Sequence, residues 1–173
     1  MTGCVTGQIK AAPLTFVLGG ARSGKSAHAE ALITALPGPW RYIATAQAFD
    51  DEMRARIAEH RARRDERWRT VEAPLDLSAA LATPEAVLVD CLTLWVSNLM
   101  LADRKPDWPG LRAALDARTA PTVIVSNEVG LGIVPDNALA RAFRDEAGRL
   151  HQLVAARADR VVFMVAGLPM VVK

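Results

Sequence analysis

The residues best suited to chemistry form one short segment near the amino end of the chain. Gly19, Gly20, Ala21, Arg22, Ser23, Gly24, Lys25 and Ser26 match the pattern G-x-x-x-x-G-K-[ST] between an apolar run and a helix-forming run. In this pattern the backbone N–H groups and the helix N-terminus point at a triphosphate. Lys25 then reaches the outer phosphates and the Ser26 hydroxyl can bind Mg²⁺. The segment predicts a nucleotide site.

A nucleotide carried with Mg²⁺ needs a carboxylate near the metal, and Asp90 is the candidate. It ends the apolar run Ala86-Val87-Leu88-Val89, so it is expected at the carboxyl edge of a buried strand. Ser26 and Asp90 are therefore the predicted Mg²⁺ ligands. A helix N-cap at Asp90 for the segment beginning at Cys91 is the structural alternative, and the two roles are compatible.

A charged helix near residues 50–64 carries the most suggestive histidine. Met53, Ile57 and His60 fall on nearly one line of a 3.6-residue helix, and arginines surround the histidine at positions 56, 61, 63 and 64. Nearby positive charge favours the neutral, nucleophilic imidazole and could neutralise phosphate oxygens. This suits covalent attack on a nucleotide phosphorus. A partly packed histidine beside solvated arginines is the plainer interpretation, because runs of charge usually form solvated faces.

Two polar residues follow another buried strand. Asn127 and Glu128 come after the run Thr122-Val123-Ile124-Val125-Ser126 and should emerge at the same sheet edge as the phosphate loop. They could position a substrate hydroxyl, with Glu128 as general base, or Glu128 could hold the following glycine turn. His28 is expected to be structural, and His151 is expected to have no cluster beside it.

Strand and helix patterns alternate along the chain. Strands are predicted near 14–18, 41–45, 68–72, 86–90, 122–126 and 161–166, and helices near 26–35, 50–64, 76–81, 92–101, 111–115 and 137–158. A polar loop is predicted over 103–109, the apolar side of the long helix should contain Leu139, Phe143, Leu150 and Val154, and Met170–Val172 should form an antiparallel edge strand. The fold class is therefore α/β, a mainly parallel sheet with helices on both faces. Residues 1–12 are predicted to be an extension of a single domain, residues 13–173.

Composition narrows the function classes. The 173 residues carry 21 Lys and Arg against 19 Asp and Glu, a net charge of +2, which argues against a nucleic-acid partner bound through a strong basic field. Two cysteines are too few for a disulfide framework or a four-ligand zinc site. No signal peptide or membrane-length apolar run is recognisable, so a cytoplasmic location is expected.

Several blocks together resemble a known enzyme family more specifically than the phosphate loop does. They read GGARSGKS, YIATAQAFDDEMRARIAEHRARR, WRTVEAP, VLVDCLTLW, SNEVGLGIVP and RAFRDEAGRLHQ. In sequence and order they resemble the bifunctional adenosylcobinamide kinase and adenosylcobinamide-phosphate guanylyltransferase of cobalamin biosynthesis. The resemblance covers residues from about Leu14 to Lys173. It implies a P-loop NTPase fold of the RecA-like type and a homotrimer or other homo-oligomer.

The resemblance also implies two reactions and a set of site residues. ATP or GTP would phosphorylate the aminopropanol hydroxyl of adenosylcobinamide, and GMP from GTP would then pass to that phosphate through a guanylylated histidine, matched here by His60. Lys25 would assist catalysis. The nucleotide contacts implied by the matching blocks are Gly19 to Ser26, Thr45, Ala46, Gln47, Arg61, Ala62, Arg63, Arg64, Glu72 and Asp90. One block departs from the family pattern, since His151 stands where the long-helix motif often has asparagine.

Two other functions fit parts of the same sequence. A small-molecule P-loop kinase would use the phosphate loop and leave His60 structural. A nucleotide-dependent switch or assembly module would bind and hydrolyse nucleotide to change partners. Covalent labelling by GTP separates the family's mechanism from both, because neither alternative forms a protein–nucleotide bond.

Overall fold

The computed structural model describes residues 13–48, 50–62 and 64–173, without the side chains of Glu52, Arg56 and His60. The predicted extension, residues 1–12, lies outside the described residues, and so does Arg63. The division of the chain into an extension and a single domain therefore stays a prediction.

Within the described residues, the apolar runs form the strands of one seven-stranded sheet. The strands are β1 (Leu14–Gly19), β2 (Trp40–Ala44), β3 (Trp68–Glu72), β4 (Ala86–Asp90), β5 (Thr122–Asn127), β6 (Arg160–Val165) and β7 (Leu168–Val171). Their order is β3-β2-β4-β5-β1-β6-β7, and every neighbouring pair is parallel except β6 with β7. The predicted antiparallel edge strand is confirmed, although it begins at Leu168. Since β5 lies between β4 and β1, the carboxyl ends of these three strands are neighbours.

Helices cover both faces of the sheet. They are α1 (Lys25–Thr34), α2 (Asp51–Ala62), α3 (Leu77–Ala80), α4 (Leu92–Leu101), α5 (Trp108–Asp116) and α6 (Ala138–Arg157). On one face Ala29 and Ile33 of α1 pack in the cluster that contains Val125. On the other, residues of α4 and α6 pack with Phe16 and Ile124. The predicted two-sided α/β fold is confirmed. Among the described residues, no helix has the length and apolarity needed to cross a membrane.

Two sequence predictions about helices α5 and α6 were wrong in detail. The polar loop over 103–109 ends earlier, because Asp107 caps α5 by accepting a hydrogen bond of 2.9 Å from the Gly110 N–H. In α6, Leu150 and Val154 are buried as predicted, but Leu139 is 62% exposed. The reason is that α6 packs against the core from Phe143 onward, so its first turn projects beyond it.

Candidate active site

The phosphate loop connects β1 to α1 and has the conformation that its motif predicts. Gly24 has φ of 89°, a left-handed value that favours glycine, and a Cβ there would approach the Gly167 Cα to 3.3 Å. Lys25 is 8% exposed, and its Nζ donates a hydrogen bond of 2.8 Å to the Gly20 carbonyl. The first turn of α1 carries no acidic residue and no side-chain cap. The loop therefore presents a positive helix terminus and a held lysine to an anion.

Asp90 ends β4 and meets the loop through Ser26. The Ser26 hydroxyl donates to Asp90 Oδ2 at 3.3 Å. These two oxygens fit a Mg²⁺ ion that takes its remaining ligands from phosphates and water, as Mg²⁺ usually does. Among the described residues, no group of three or more His, Cys, Asp or Glu side chains could hold a metal. The alternative N-cap role of Asp90 is not supported, because Cys91 occupies the cap position of α4 and no side-chain cap bond forms there.

Tyr42 of β2 is a site residue that sequence reasoning missed. Its hydroxyl donates to Asp90 Oδ2 at 3.0 Å, and the Arg64 guanidinium carbon lies 3.6 Å from the centre of its ring. Burial and the nearby Asp90 carboxylate raise the pKa of Tyr42 above its ordinary value, so the phenol stays protonated and remains a donor. Tyr42 thus contacts both the predicted metal ligand and the arginine segment after α2.

Helix α2 brings the predicted guanylylation segment to the same cleft. Met53 and Ile57 line the cleft, and so do Arg61 and Arg64. Arg61 donates to the Glu72 carboxylate at the end of β3, so two predicted nucleotide contacts bind each other. His60 belongs to the last turn of α2. The side chain of His60 lies outside the described part of the structure, so its nucleophilic role stays a prediction.

Thr45 has a structural role in addition to its predicted nucleotide contact. It is fully buried, and its hydroxyl donates to the Cys91 carbonyl at 2.7 Å and accepts from the Cys91 N–H at 2.9 Å. These bonds fasten the loop after β2 to the loop after β4. Ala46 and Gln47, which follow Thr45, do line the cleft. The hydroxyl of Thr45 is therefore committed to positioning these two loops.

Asn127 and Glu128 emerge between the phosphate loop and Asp90, as predicted, and both line the cleft. The Asn127 amide donates to Thr93 Oγ1 at 3.1 Å, which fixes its orientation. The Glu128 N–H donates to the Gly19 carbonyl at 3.0 Å, and its carboxylate accepts from the Gly130 N–H. This second bond supports the structural alternative for Glu128, because the carboxylate holds the glycine turn.

The prediction that His151 has no cluster beside it was wrong. His151 is 8% exposed, with Nε2 at 2.8 Å from Ser126 Oγ and Nδ1 at 3.9 Å from Glu128 Oε2. Burial lowers the pKa of His151, and the Glu128 carboxylate opposes that shift only in part. The imidazole is therefore neutral at neutral pH. His151 packs behind Glu128, a contact between β5 and α6 that sequence spacing does not reveal.

Together these elements enclose a cleft of about 1400 Å³. That exceeds the roughly 300–1000 Å³ typical of sites for drug-sized ligands. The predicted site residues that line it are Ala21, Arg22, Ser23, Gly24, Lys25, Ser26, Ala46, Gln47, Arg61, Arg64, Glu72, Asp90, Asn127 and Glu128. The cleft can accommodate a nucleotide together with part of a second substrate.

Comparison with known proteins identifies the family. The sequence model of the cobinamide kinase / cobinamide phosphate guanyltransferase family matches residues 15–172. The chain belongs to this family. A bifunctional adenosylcobalamin biosynthesis protein, CobP of Pseudomonas aeruginosa, is 52% identical over 91% of this chain and 95% of its own length. The protein of the same description from Salmonella typhimurium, CobU, is 45% identical over 92% of this chain and 99% of its own length. The resemblance seen in the sequence blocks is confirmed.

A solved structure with a very different sequence has a similar fold. The flagellar accessory protein FlaH of Methanocaldococcus jannaschii aligns with a TM-score of 0.55 at 12% identity, over 93% of this chain and 78% of that chain. At this identity the likeness concerns the fold alone. The predicted α/β fold, a mainly parallel sheet with helices on both faces, agrees with this likeness, while the activity is argued from the family and the site.

Proposed function

We propose that this member of the family phosphorylates adenosylcobinamide with ATP or GTP and then transfers GMP from GTP to adenosylcobinamide phosphate through a guanylyl-histidine at His60. The products of the second reaction are adenosylcobinamide-GDP and pyrophosphate. The proposal includes a cytoplasmic location, where both nucleotides are available, and assembly into a homotrimer or other homo-oligomer.

The observation that carries the proposal is a pair of buried donors in one cleft. Several buried side-chain atoms of the described residues have no hydrogen-bond partner, and two of them, Ser23 Oγ and Arg64 Nη1, belong to residues of the cleft. Buried polar atoms are rarely left unpaired, because each costs about 1–3 kcal/mol. Both residues line the cleft, one from the phosphate loop and the other from the segment after α2. Phosphate oxygens of a bound nucleotide would supply the missing acceptors on both sides.

The kinase step needs positioning and charge neutralisation at the γ-phosphate. The phosphate loop and Lys25 hold the transferring group, and Ser26 with Asp90 would hold Mg²⁺. When bound, Mg²⁺ neutralises the charge that develops on the phosphate oxygens. The substrate hydroxyl attacks the γ-phosphorus and displaces the nucleoside diphosphate, and its proton passes to the Glu128 carboxylate or to water. Glu128 and Asn127 line the side from which the hydroxyl would approach, between β4 and β1.

The guanylyl step uses the α2 side of the cleft. A neutral nitrogen of His60 attacks the α-phosphorus of GTP, and the phosphorus–oxygen bond to pyrophosphate breaks. The phosphate of adenosylcobinamide phosphate then attacks the same phosphorus and releases His60. Arg61 and Arg64, which line the cleft, would neutralise the phosphoryl oxygens in both halves. Division of one difficult displacement into two steps is what the covalent intermediate contributes.

Incubation with α-labelled GTP and Mg²⁺ tests the proposal. The protein should acquire acid-labile label from α-labelled GTP and none from γ-labelled GTP, because GMP stays and pyrophosphate leaves. The His60→Ala variant should acquire none. The matched control is His151→Asn, which changes another histidine and should keep the label. Absence of label on the parent protein, or label that survives in His60→Ala, would remove the covalent mechanism and favour the single-activity kinase.

A further inference from the structure

A segment beside the cleft exposes aliphatic side chains in a loop that is held at both ends. Leu131 is 82% exposed, Ile133 97% and Val134 63%. We call residues 130–135 the apolar loop; its sequence, Gly-Leu-Gly-Ile-Val-Pro, contains no charged residue. Contiguous exposed apolar surface of this kind usually marks a binding site for a ligand or a partner.

The apolar loop is anchored rather than loose. At its start the Gly130 N–H donates to the Glu128 carboxylate. At its end Arg141 of α6 donates to the carbonyls of Pro135 and Asp136 at 3.0 and 2.7 Å. The aliphatic side chains between these two bonded ends are exposed to solvent. A surface preorganised in this way binds at a lower entropic cost than a free segment would.

The sheet order places the apolar loop where the second substrate must approach. β5 lies between β4, which ends in Asp90, and β1, which leads into the phosphate loop. Asn127, Glu128 and Val129, directly before the loop, line the cleft, and the Glu128 N–H is bonded to the Gly19 carbonyl. A substrate whose hydroxyl reaches the γ-phosphate would therefore extend its body over residues 130–135.

We infer that the apolar loop binds the corrin ring of adenosylcobinamide, a macrocycle whose edge carries methyl groups and neutral amide arms. This inference rests on the proposed function and assigns part of that site. Leu131, Ile133 and Val134 pack against the methyl-bearing edge. An uncharged loop suits a ligand whose arms are neutral.

A second exposed apolar set lies on β7 and is a less suitable platform. It includes Leu168 at 71% and Met170 at 54% exposure. β7 is the last strand of the sheet, separated from β5 by β1 and β6. Its open backbone edge suits another protein chain, whereas the apolar loop adjoins the cleft and offers no strand edge.

The test is the double variant Leu131→Ser with Ile133→Ser, assayed as full-length protein. The KM for adenosylcobinamide in the kinase reaction should rise roughly tenfold or more, because two aliphatic side chains lose their apolar contacts. The KM for ATP and the labelling by α-labelled GTP should stay unchanged. The control is Leu101→Ser, at the carboxyl end of α4, where the side chain is similarly exposed at 64%. It should leave all three quantities unchanged.

The outcomes separate this inference from the proposed function. If the parent protein phosphorylates adenosylcobinamide and the double variant keeps its KM, the loop assignment is wrong and the function stands. If the parent protein shows no turnover of adenosylcobinamide, the function fails and the assignment fails with it. If light scattering shows that the double variant changes oligomeric state while Leu101→Ser does not, the loop is a contact between subunits and the assignment is overturned.

Discussion

The two helices that flank the cleft are held in different ways. Helix α1 follows the phosphate loop, and its residues Lys25, Ala29 and Ile33 are buried. Helix α2 contains His60, and none of its described side chains is buried. Arg61 of α2 forms an ion pair with Glu72, and the two side chains are 55% and 65% exposed. Just after the helix, the Arg64 guanidinium lies over the Tyr42 ring.

The two sides of the cleft, the phosphate loop with α1 and the segment of α2, are therefore stabilised by different interactions. The phosphate loop is fixed by the core packing of α1, so under the proposed function the γ-phosphate would meet a preformed arrangement of donors, which favours transfer. The α2 side is held in part by the exposed Arg61–Glu72 ion pair, which contributes about 0–1 kcal/mol, and by the Arg64–Tyr42 cation–π contact, which contributes about 0.5–2 kcal/mol. Local opening should therefore cost less free energy at α2 than at α1. Substitutions in the two regions should differ accordingly.

The largest expected effect on activity comes from the phosphate loop, which is held by the packing of α1. Lys25→Ala should lower phosphorylation of adenosylcobinamide by ATP by roughly 10²–10³-fold, the usual cost of removing one donor to a developing charge. The exposed lysine variant Lys105→Ala provides the matched control and should keep full activity. The measurement is initial rate with a thermal melt of each protein. Turnover retained in Lys25→Ala would show that phosphate transfer occurs elsewhere.

Next in size is a stability difference between two isoleucines. Ile33→Ala in α1 should reduce the free energy of unfolding by about 2–5 kcal/mol, because Ile33 is fully buried and its removal leaves a cavity. Ile57→Ala in α2 should cost about 1 kcal/mol or less, since Ile57 is half-buried at the edge of the cleft. Urea unfolding measures both. Equal losses would contradict the contrast between the two helices.

The same contrast explains which features sequence reasoning could reach. Apolar runs and glycine spacing predicted the strands, the phosphate loop and the position of Asp90, because these are properties of neighbouring residues. Position 60 was proposed through the resemblance of the surrounding block, since spacing alone also allowed a structural histidine, and its role stays a prediction. Local pattern and family resemblance therefore supplied most of the residues proposed for the site.

Tyr42 and His151 depend on contacts that local pattern does not contain. Ala44 is in register with Asp90, and Tyr42 lies two residues before Ala44 on the same strand. Because side chains two residues apart point to the same face, Tyr42 and Asp90 share one face of adjacent strands. That register is set by the pairing of β2 with β4. His151 meets Ser126 because α6 packs over β1, the strand next to β5, across 25 positions of sequence. The presence of one tyrosine in the chain, on a strand next to Asp90, was the available signal for Tyr42.

The smallest expected effect tests whether Tyr42 joins the two regions. Tyr42→Phe removes the hydrogen bond to Asp90 and keeps the ring beneath Arg64, whereas Tyr42→Leu removes both contacts. Loss of a hydrogen bond to a charged group costs about 1.5–3 kcal/mol. Tyr42→Phe should therefore lower kcat/KM for ATP-dependent phosphorylation about tenfold and leave GMP labelling near that of the parent protein.

Tyr42→Leu should weaken both reactions, because Arg64 loses the aromatic face that positions it. Rates of phosphorylation and of labelling by α-labelled GTP, measured on the same preparations, distinguish the two contacts. If both variants lower both rates to the same extent, the hydrogen bond and the cation–π contact act as one unit and the two sides of the cleft are not separable at Tyr42. If neither rate changes in Tyr42→Phe, the orientation of Asp90 is set by Ser26 and the phosphate loop, and the phosphate-loop side of the cleft is independent of β2.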